Sequence, residues 1–392
     1  MTHTAIKKVL IYSQDGLGLG HLRRNLNICR QLKKCHPQVS CLIIADSPVA
    51  PFFKMPAHCD FVKIPTIVKV DSGVWRSNRL PVEYAELVTM RADIIRNIML
   101  TYRPHVFVVD HMPHGALGEL AQPLEILKKH CPHTKVILGL RDILGAPDVI
   151  CRQWQKEGAF AAAEAFYDAI NIYGCAELFN ALAEYNFPPA LLHKTRYCGY
   201  VCRENTEAAT PAKKTTGNRH DRFILVTGGG GADAAFFMDQ FIGAAHRLRR
   251  DLRFQALITT GPFMPEDQRL HLRRKVKDLP LTISQAGEDS IRYLQRADLV
   301  ISMAGYNTIS EIMHFRKNAI VVPRPGPSAE QTMRTRLMSG RGLFSTIHPH
   351  DLTAENLAEL IQQKLRNGNN MNDAMLPDLN GASKAASHIL AV

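Results

Sequence analysis

Short apolar runs alternate along the chain with longer segments whose apolar residues recur every three or four positions. In the first half the runs fall at Lys8–Tyr12, Val39–Ala45, Phe61–Ile64, Val106–Asp110, Lys135–Leu140, Ala169–Tyr173 and beside Tyr197. In the second half they fall at Phe223–Thr227, Phe254–Thr259, Leu281–Ser284, Leu299–Ser302 and Ala319–Pro323. Their length and β-branched content predict buried strands, whereas Leu22, Leu26, Cys29 and Leu32 share one face of a helix. Strand alternating with helix predicts an α/β protein with two parallel, helix-covered sheets. The stretch Glu204–Asp221 is polar and has no apolar period, so it is expected to be a linker between residues 1–203 and 222–379. Residues 380–392 read as a last helix that needs a surface, for which the N-terminal domain is available.

Two glycine-rich turns mark corresponding places in the halves. Gly16-Leu17-Gly18-Leu19-Gly20-His21 follows the first strand and Gly228-Gly229-Gly230-Gly231 follows Phe223–Thr227, each ahead of a helical pattern. A helix N-terminus offers unpaired N–H groups and partial positive charge, and glycine lets a phosphate approach closely. A tight strand-to-helix connection explains a single glycine turn equally well, but four glycines in a row carry an entropic cost that turn geometry alone does not require.

Composition narrows the partners. Forty-eight Lys+Arg against thirty-six Asp+Glu give a formal charge of +12, which favours anionic ligands. The basic clusters Arg247, Arg249, Arg250, Arg253 and Arg269, Arg273, Arg274, Lys275, Lys277 are interleaved with leucines and read as solvated helix faces. Aromatic residues do not alternate with them, so no stacking platform for nucleic acid is expected. An anionic nucleotide or an anionic membrane surface accounts for the excess charge as well. Nine cysteines, odd in number and without a CxxC pair, are expected to be reduced and mostly buried, with no metal held at Cys198 and Cys202. Met1–Lys8 resembles neither a signal peptide nor a membrane span, so a cytoplasmic location is expected.

The densest constellation runs from Asp298 through Ser302, Gly305, Asn307, Thr308 and Glu311 to Arg324 and Gln331. It reads as strand, small-residue turn, helix, strand, proline-rich loop and helix, with its polar residues beyond strand C-termini, where open parallel sheets bind ligands. Capping boxes at Thr308/Glu311 and Ser328/Gln331 are the plainer explanation of the spacing.

Taken together these segments resemble glycosyltransferase family 28, which includes the peptidoglycan N-acetylglucosaminyltransferase, and also a set of uncharacterised bacterial glycosyltransferases. Gly20-His21 matches the Gly-His of the family's first loop, Gly199 and Arg203 a hinge element, and Gly228 and Gly229 the start of its second loop. The resemblance implies a GT-B fold, two Rossmann-like domains with parallel sheets facing across a cleft. It implies that Arg203 and the loop Gly228–Gly231 face a diphosphate, that Glu311 binds ribose hydroxyls and that Gln331 contacts the sugar. Gly18, Gly20, Ser302, Gly305, Asn307 and Thr308 complete the expected donor site. Two departures, Arg24 in place of a common proline and Gly230 in place of a serine, leave donor sugar and acceptor open.

On the N-terminal side, His21 stands where a helix dipole favours neutral imidazole. It is the first candidate base, ahead of Asp110 and His111 in Asp110-His111-Met-Pro-His114-Gly115. That segment is not expected to hold a metal, and Arg141-Asp142 is expected to form a local ion pair or cap. The expected function is metal-independent, inverting transfer from a nucleotide-diphosphate sugar, with uridine implied, to a saccharide or lipid-linked acceptor. The nucleotide sugar is a co-substrate and no cofactor is expected; contact with the inner face of the plasma membrane would be peripheral. Two rivals share the architecture: a nucleotide-sugar hydrolase resembling those of the pseudaminic acid pathway, and a non-catalytic nucleotide-sugar-binding protein.

Overall fold

The computed structural model describes residues 7–71, 74–203, 221–285, 290–326, 329–369 and 371–392. All but the last residue of the expected linker, and Ser328 of the second expected capping box, lie outside these residues. The chain forms two compact units, one of residues 1–202 with 377–392 and one of residues 203–376.

The first unit carries strands β1 (Lys8–Ser13), β2 (Ser40–Ala45), β3 (Cys59–Lys63), β4 (Ile67–Asp71), β5 (Val74–Ser77), β6 (Val106–Asp110), β7 (Lys135–Arg141), β8 (Ala169–Tyr173) and β9 (Thr195–Tyr197). Seven form a parallel sheet in the order β3-β2-β1-β6-β7-β8-β9. All five residues of β6 are buried, as expected of a central strand with helices on both faces. The antiparallel pair β4-β5 and its short strands were not foreshadowed by the run pattern. The helix Gly381–Ala391 belongs to this unit and lays Ala382, Ala385, Ala386 and Ile389 against the helix Gly20–Cys35. Its approach depends on Gly199 and Gly381. At Gly199, φ is +88° and an added Cβ would lie 2.7 Å from the Asp378 carbonyl oxygen; at Gly381 it would lie 2.3 Å from that of Gly199.

The second unit holds β10 (Arg222–Thr227), β11 (Phe254–Thr259), β12 (Leu281–Ser284), β13 (Leu299–Met303), β14 (Ala319–Val322) and β15 (Ser345–Thr346), parallel in the order β12-β11-β10-β13-β14-β15. Phe237, Phe241, Ile258, Ile301 and Leu357 sit in its core. In each sheet the strand order reverses beside the first strand, between β1 and β6 and between β10 and β13. Loops leaving neighbouring strands in opposite directions open a crevice there. Both glycine turns lie at such a point. Only the first leads directly into a helix, because the second is followed by residues 232–234 before the helix Ala235–Leu248 begins.

Arg269 departs from the expected solvated basic face. It is buried, bonding Glu266 at 2.5 Å and the Met264 carbonyl at 3.1 Å.

Candidate active site

At the reversal point of the first sheet, β1 leads through residues 14–19 into the helix Gly20–Cys35, and β6 ends at Asp110. Asp110 is fully buried. Arg24 Nη2 donates to both of its oxygens at 2.6 and 2.8 Å, and Asn25 Nδ2 to Oδ2 at 3.0 Å. Burial opposes a charge on this carboxyl, but Arg24 and His21 beside it hold its pKa well below the usual carboxylate range. His21, with its side chain 15% exposed, places Nδ1 3.2 Å from Asp110 Oδ2 and 3.0 Å from Arg24 Nη2. With its proton on Nδ1 donated to Asp110 Oδ2, His21 carries the basic lone pair on Nε2. Burial lowers the His21 pKa, Asp110 raises it, and Arg24 and Arg141 lower it; the net direction is down. The imidazole is therefore neutral at neutral pH, as a base must be.

His111 follows directly at φ +88°, a conformation that costs a non-glycine residue free energy and recurs at functional sites. Its ring centre is 5.4 Å from that of His21, and its Nδ1 is buried without a hydrogen-bond partner among the described residues. Burial, then Arg141 and His21, push its pKa well below the ordinary value. Of the three candidate bases, His21 holds a basic atom oriented by a second group. Asp110 is occupied as the group that orients it.

The first glycine turn is filled by the chain itself. Asp15 accepts from the backbone N–H groups of His21 and Leu22, each at 2.8 Å, while Asp46 accepts from those of Asp15 and Gly16 at 2.6 and 3.0 Å. The N–H groups expected to meet a phosphate are thus bonded to the Asp15 carboxyl group. Gly18 has a structural reason, since its N–H bonds the Asp15 carbonyl and an added Cβ would lie 3.0 Å from it. At Gly20 an added Cβ would meet nothing within 4 Å. Burial and the neighbouring Asp46 and Asp110 raise the Asp15 pKa to about 8.

At the second reversal point, packing accounts for part of the glycine run. An added Cβ would lie 2.2 Å from Ala234 Cβ at Gly228 and 1.8 Å from the Thr260 carbonyl oxygen at Gly231, while Gly229 adopts φ +63° with open space around it. The carbonyl of Gly230 accepts from Phe263 N–H. Beyond β13, Gly305 is the N-cap of the helix Tyr306–His314 and provides no side-chain cap. Thr308 and Glu311 lie inside this helix, so the capping-box reading of that pair does not hold. Asn307 and Glu311, four residues apart, share a helix face; Asn307 and Thr308 are 8% exposed and Glu311 5%. Ser302 Oγ is buried without a partner among the described residues. Gln331 turns back to the proline-rich loop, its Oε1 accepting from Arg324 N–H at 3.0 Å, while the Arg324 guanidinium pairs with Asp233 beside the glycine turn. Arg203 begins this unit and is half-buried.

Residues 223–389 match the model of the glycosyltransferase family 28 C-terminal domain. This segment is a family 28 domain. The family 28 match takes in the whole second reversal point with Gly228–Gly231, Ser302, Gly305 and Glu311, and runs into the returning helix Gly381–Ala391. Over 190 residues the chain is 28% identical to the UDP-N-acetylglucosamine–N-acetylmuramyl-(pentapeptide) pyrophosphoryl-undecaprenol N-acetylglucosamine transferase of Agrobacterium fabrum, which is 47% of this chain and 50% of that protein. The chain spans about half the length of the curated relatives it matches. Among solved structures it is similar to MurG of Acinetobacter baumannii, with TM-score 0.53, 15% identity, and coverage of 97% of this chain and 95% of that one. It is also similar to the UDP-GlcNAc 2-epimerase of Methanocaldococcus jannaschii, with TM-score 0.62, 12% identity, and coverage of 99% and 100%. The fold is GT-B, with two Rossmann-like domains of which the second is the family 28 domain.

Several residues that shape these sites were not singled out from sequence. Arg334, buried, donates to the Ala304 carbonyl at 2.9 Å and to Glu330 at 2.7 Å, which fixes the turn ahead of the family 28 helix Tyr306–His314. In the first unit Arg91 donates to Glu119 at 2.7 Å and to the Tyr12 hydroxyl at 3.1 Å beneath the Asp46 loop. For Arg91 the available signal was a charged residue on a helix face otherwise made of Leu87, Ile95 and Met99, whereas the helix Glu330–Ser339 has no such apolar face around Arg334. Asp142 accepts from the Tyr200 hydroxyl and from Ile143 N–H, so it acts as a buried acceptor and local cap.

Proposed function

We propose that the protein transfers a glycosyl group, with inversion and without a divalent metal, from a uridine diphosphate sugar to a hydroxyl of a saccharide or lipid-linked acceptor. The observation that carries this reading is His21 held by Asp110 at the reversal point of the first sheet, in a chain whose other half is a family 28 domain. The relatives named for transfer from UDP-N-acetylglucosamine to a pyrophosphoryl-undecaprenol acceptor support the substrate classes. His21 Nε2 takes the acceptor hydroxyl proton as that oxygen bonds the anomeric carbon from the face opposite the diphosphate. The bond from that carbon to the diphosphate oxygen breaks, and its electron pair leaves with the nucleotide.

In the second unit the N-terminal end of the helix that begins after Gly305, and Arg203, stabilise the departing charge. Gly228–Gly231 border the diphosphate, Ser302, Asn307 and Thr308 line the nucleotide, Glu311 accepts from the ribose hydroxyls and Gln331 contacts the sugar. A carboxylate accepting from adjacent hydroxyls forms strong charge-assisted bonds. No helix among the described residues is long and apolar enough to cross a membrane. A lipid-linked acceptor is then met by peripheral contact at the inner membrane face, aided by the net positive charge.

Incubation with a panel of nucleotide sugars, with and without cell extract as acceptor, tests this reading. Nucleotide release that requires extract is expected. Release in water alone assigns the site to a hydrolase, and binding without release assigns it to a sensor.

A further inference from the structure

Cys29, Cys41 and Cys59 come from three different elements, the helix Gly20–Cys35, β2 and β3. Cys41 pairs with Cys59 in the parallel register of β2 and β3, so both side chains leave the sheet on one face. Cys29 meets them there, and the three sulfurs lie within 4.8 Å of one another. Cys29 and Cys41 are buried and Cys59 is half-buried, which leaves one side of the group open to solvent. All nine cysteines of the chain are free thiols, and this is the one group of metal-binding geometry among the described residues.

A buried free cysteine ordinarily behaves as a small apolar side chain. Convergence of three on one point is a different arrangement. Zinc–thiolate bonds of about 2.3 Å place tetrahedral ligand sulfurs about 3.8 Å apart, a spacing this trio reaches by small side-chain rotations. Lys33, one turn beyond Cys29, directs its ammonium to the carbonyls of Pro37 and Val39 and to His58 Nδ1 at 3.0 Å. Its positive charge acts on both Cys41 and Cys59 and offsets part of the negative charge of three thiolates around a divalent ion.

We propose that Cys29, Cys41 and Cys59 form a three-thiolate site for one soft divalent cation, zinc, with the open Cys59 side supplying a solvent molecule as fourth ligand. Binding releases the three thiol protons to solvent and involves no redox change. The ion ties the helix that begins with Gly20 and His21 to the edge strands β2 and β3, so its role is structural and separate from sugar transfer.

The test uses the full chain, kept reduced with a thiol-free reductant and stripped with a chelator. Titration with Zn2+ against a competing chromophoric chelator should give one equivalent bound. Cd2+ should give the ultraviolet thiolate-to-metal absorption of three sulfurs, and either ion should raise the unfolding temperature. Cys59→Ser, at the half-buried position, should fold, lose stoichiometric binding and lose the metal-dependent shift. Cys35→Ser and Cys131→Ser should retain all three. Absence of binding with all thiols reduced, binding that survives in Cys59→Ser, or binding lost in Cys35→Ser or Cys131→Ser would each overturn the assignment.

Discussion

Asp110 Oδ2 lies 3.2 Å from His21 Nδ1, joining the end of one central strand to the first turn of the helix that follows its neighbour. The two groups are separable by substitution. His21→Ala leaves Arg24 and Asn25 on Asp110, so the fold is retained while kcat falls by roughly a hundredfold or more with donor affinity unchanged. Asp110→Asn strips the buried Arg24 of its counter-charge and is expected to cost about 3–5 kcal/mol of stability as well as activity. Parallel thermal unfolding and steady-state kinetics distinguish the two. Normal turnover in His21→Ala removes it as the base and passes the role to His111.

The pH profile carries the same signature. Burial brings the His21 pKa below its ordinary 6.5, so the acid limb of kcat/KM is expected below that value. Asp110 acts to raise it, and Asp110→Asn should therefore move the limb further toward acid in whatever activity remains. A limb above 6.5 in the unaltered protein would contradict a buried neutral base.

Asp15 predicts a stability effect of opposite sign to that of an ordinary ion-paired carboxylate. Its pKa is about 8 when folded against an ordinary 3.8, so between those values the folded state binds more protons than the unfolded one. Stability then falls as pH rises from about 4 to 8 and levels off above. Asp15→Asn keeps one acceptor for the His21 and Leu22 N–H groups and should flatten this decline. Chemical denaturation in steps of about one pH unit from about pH 5 to about pH 8 compares the slopes of the two proteins.

Glu311→Ala tests the family 28 half. Glu311 lies inside its helix, away from the N-cap Gly305, and the loss is expected in donor binding, about 1.5–3 kcal/mol by calorimetry, with a smaller change in saturated turnover. A large fall in unfolding temperature with intact donor affinity would make it a structural residue.

Two glycines provide a steric contrast. Gly231→Ala places a methyl group 1.8 Å from the Thr260 carbonyl oxygen at φ +91° and should unfold or strongly destabilise the second unit. Gly20→Ala enters open space at the first position of a helix and should leave stability unchanged or improved by a few tenths of a kcal/mol. A loss of acceptor or donor binding in Gly20→Ala, without loss of stability, would show that ligand backbone contact is what requires glycine there.

The local pattern of apolar runs was sufficient for the two sheets, for most strand boundaries and for the chemistry-bearing segments around His21, Asp110 and Glu311, because strand period, glycine turns and helix spacing are properties of neighbours in sequence. The two-residue β15 carries too few residues to make such a signal, and in β4 and β5 Lys69 and Arg76 interrupt the apolar run. Beyond neighbours the sequence is silent about contact. Arg24, met as a departure from a family proline, becomes the counter-charge of Asp110 only when β1 and β6 pair side by side. Asp15, an ordinary loop residue in sequence, takes the helix N–H groups that the glycine turn advertised for phosphate. Cys29, Cys41 and Cys59 converge only because β2 and β3 pair in register beneath one helix face. Apolar burial sets the secondary structure along the chain, but strand order and register decide which polar groups are left facing one another in a low-dielectric interior, and the chemistry follows from those encounters.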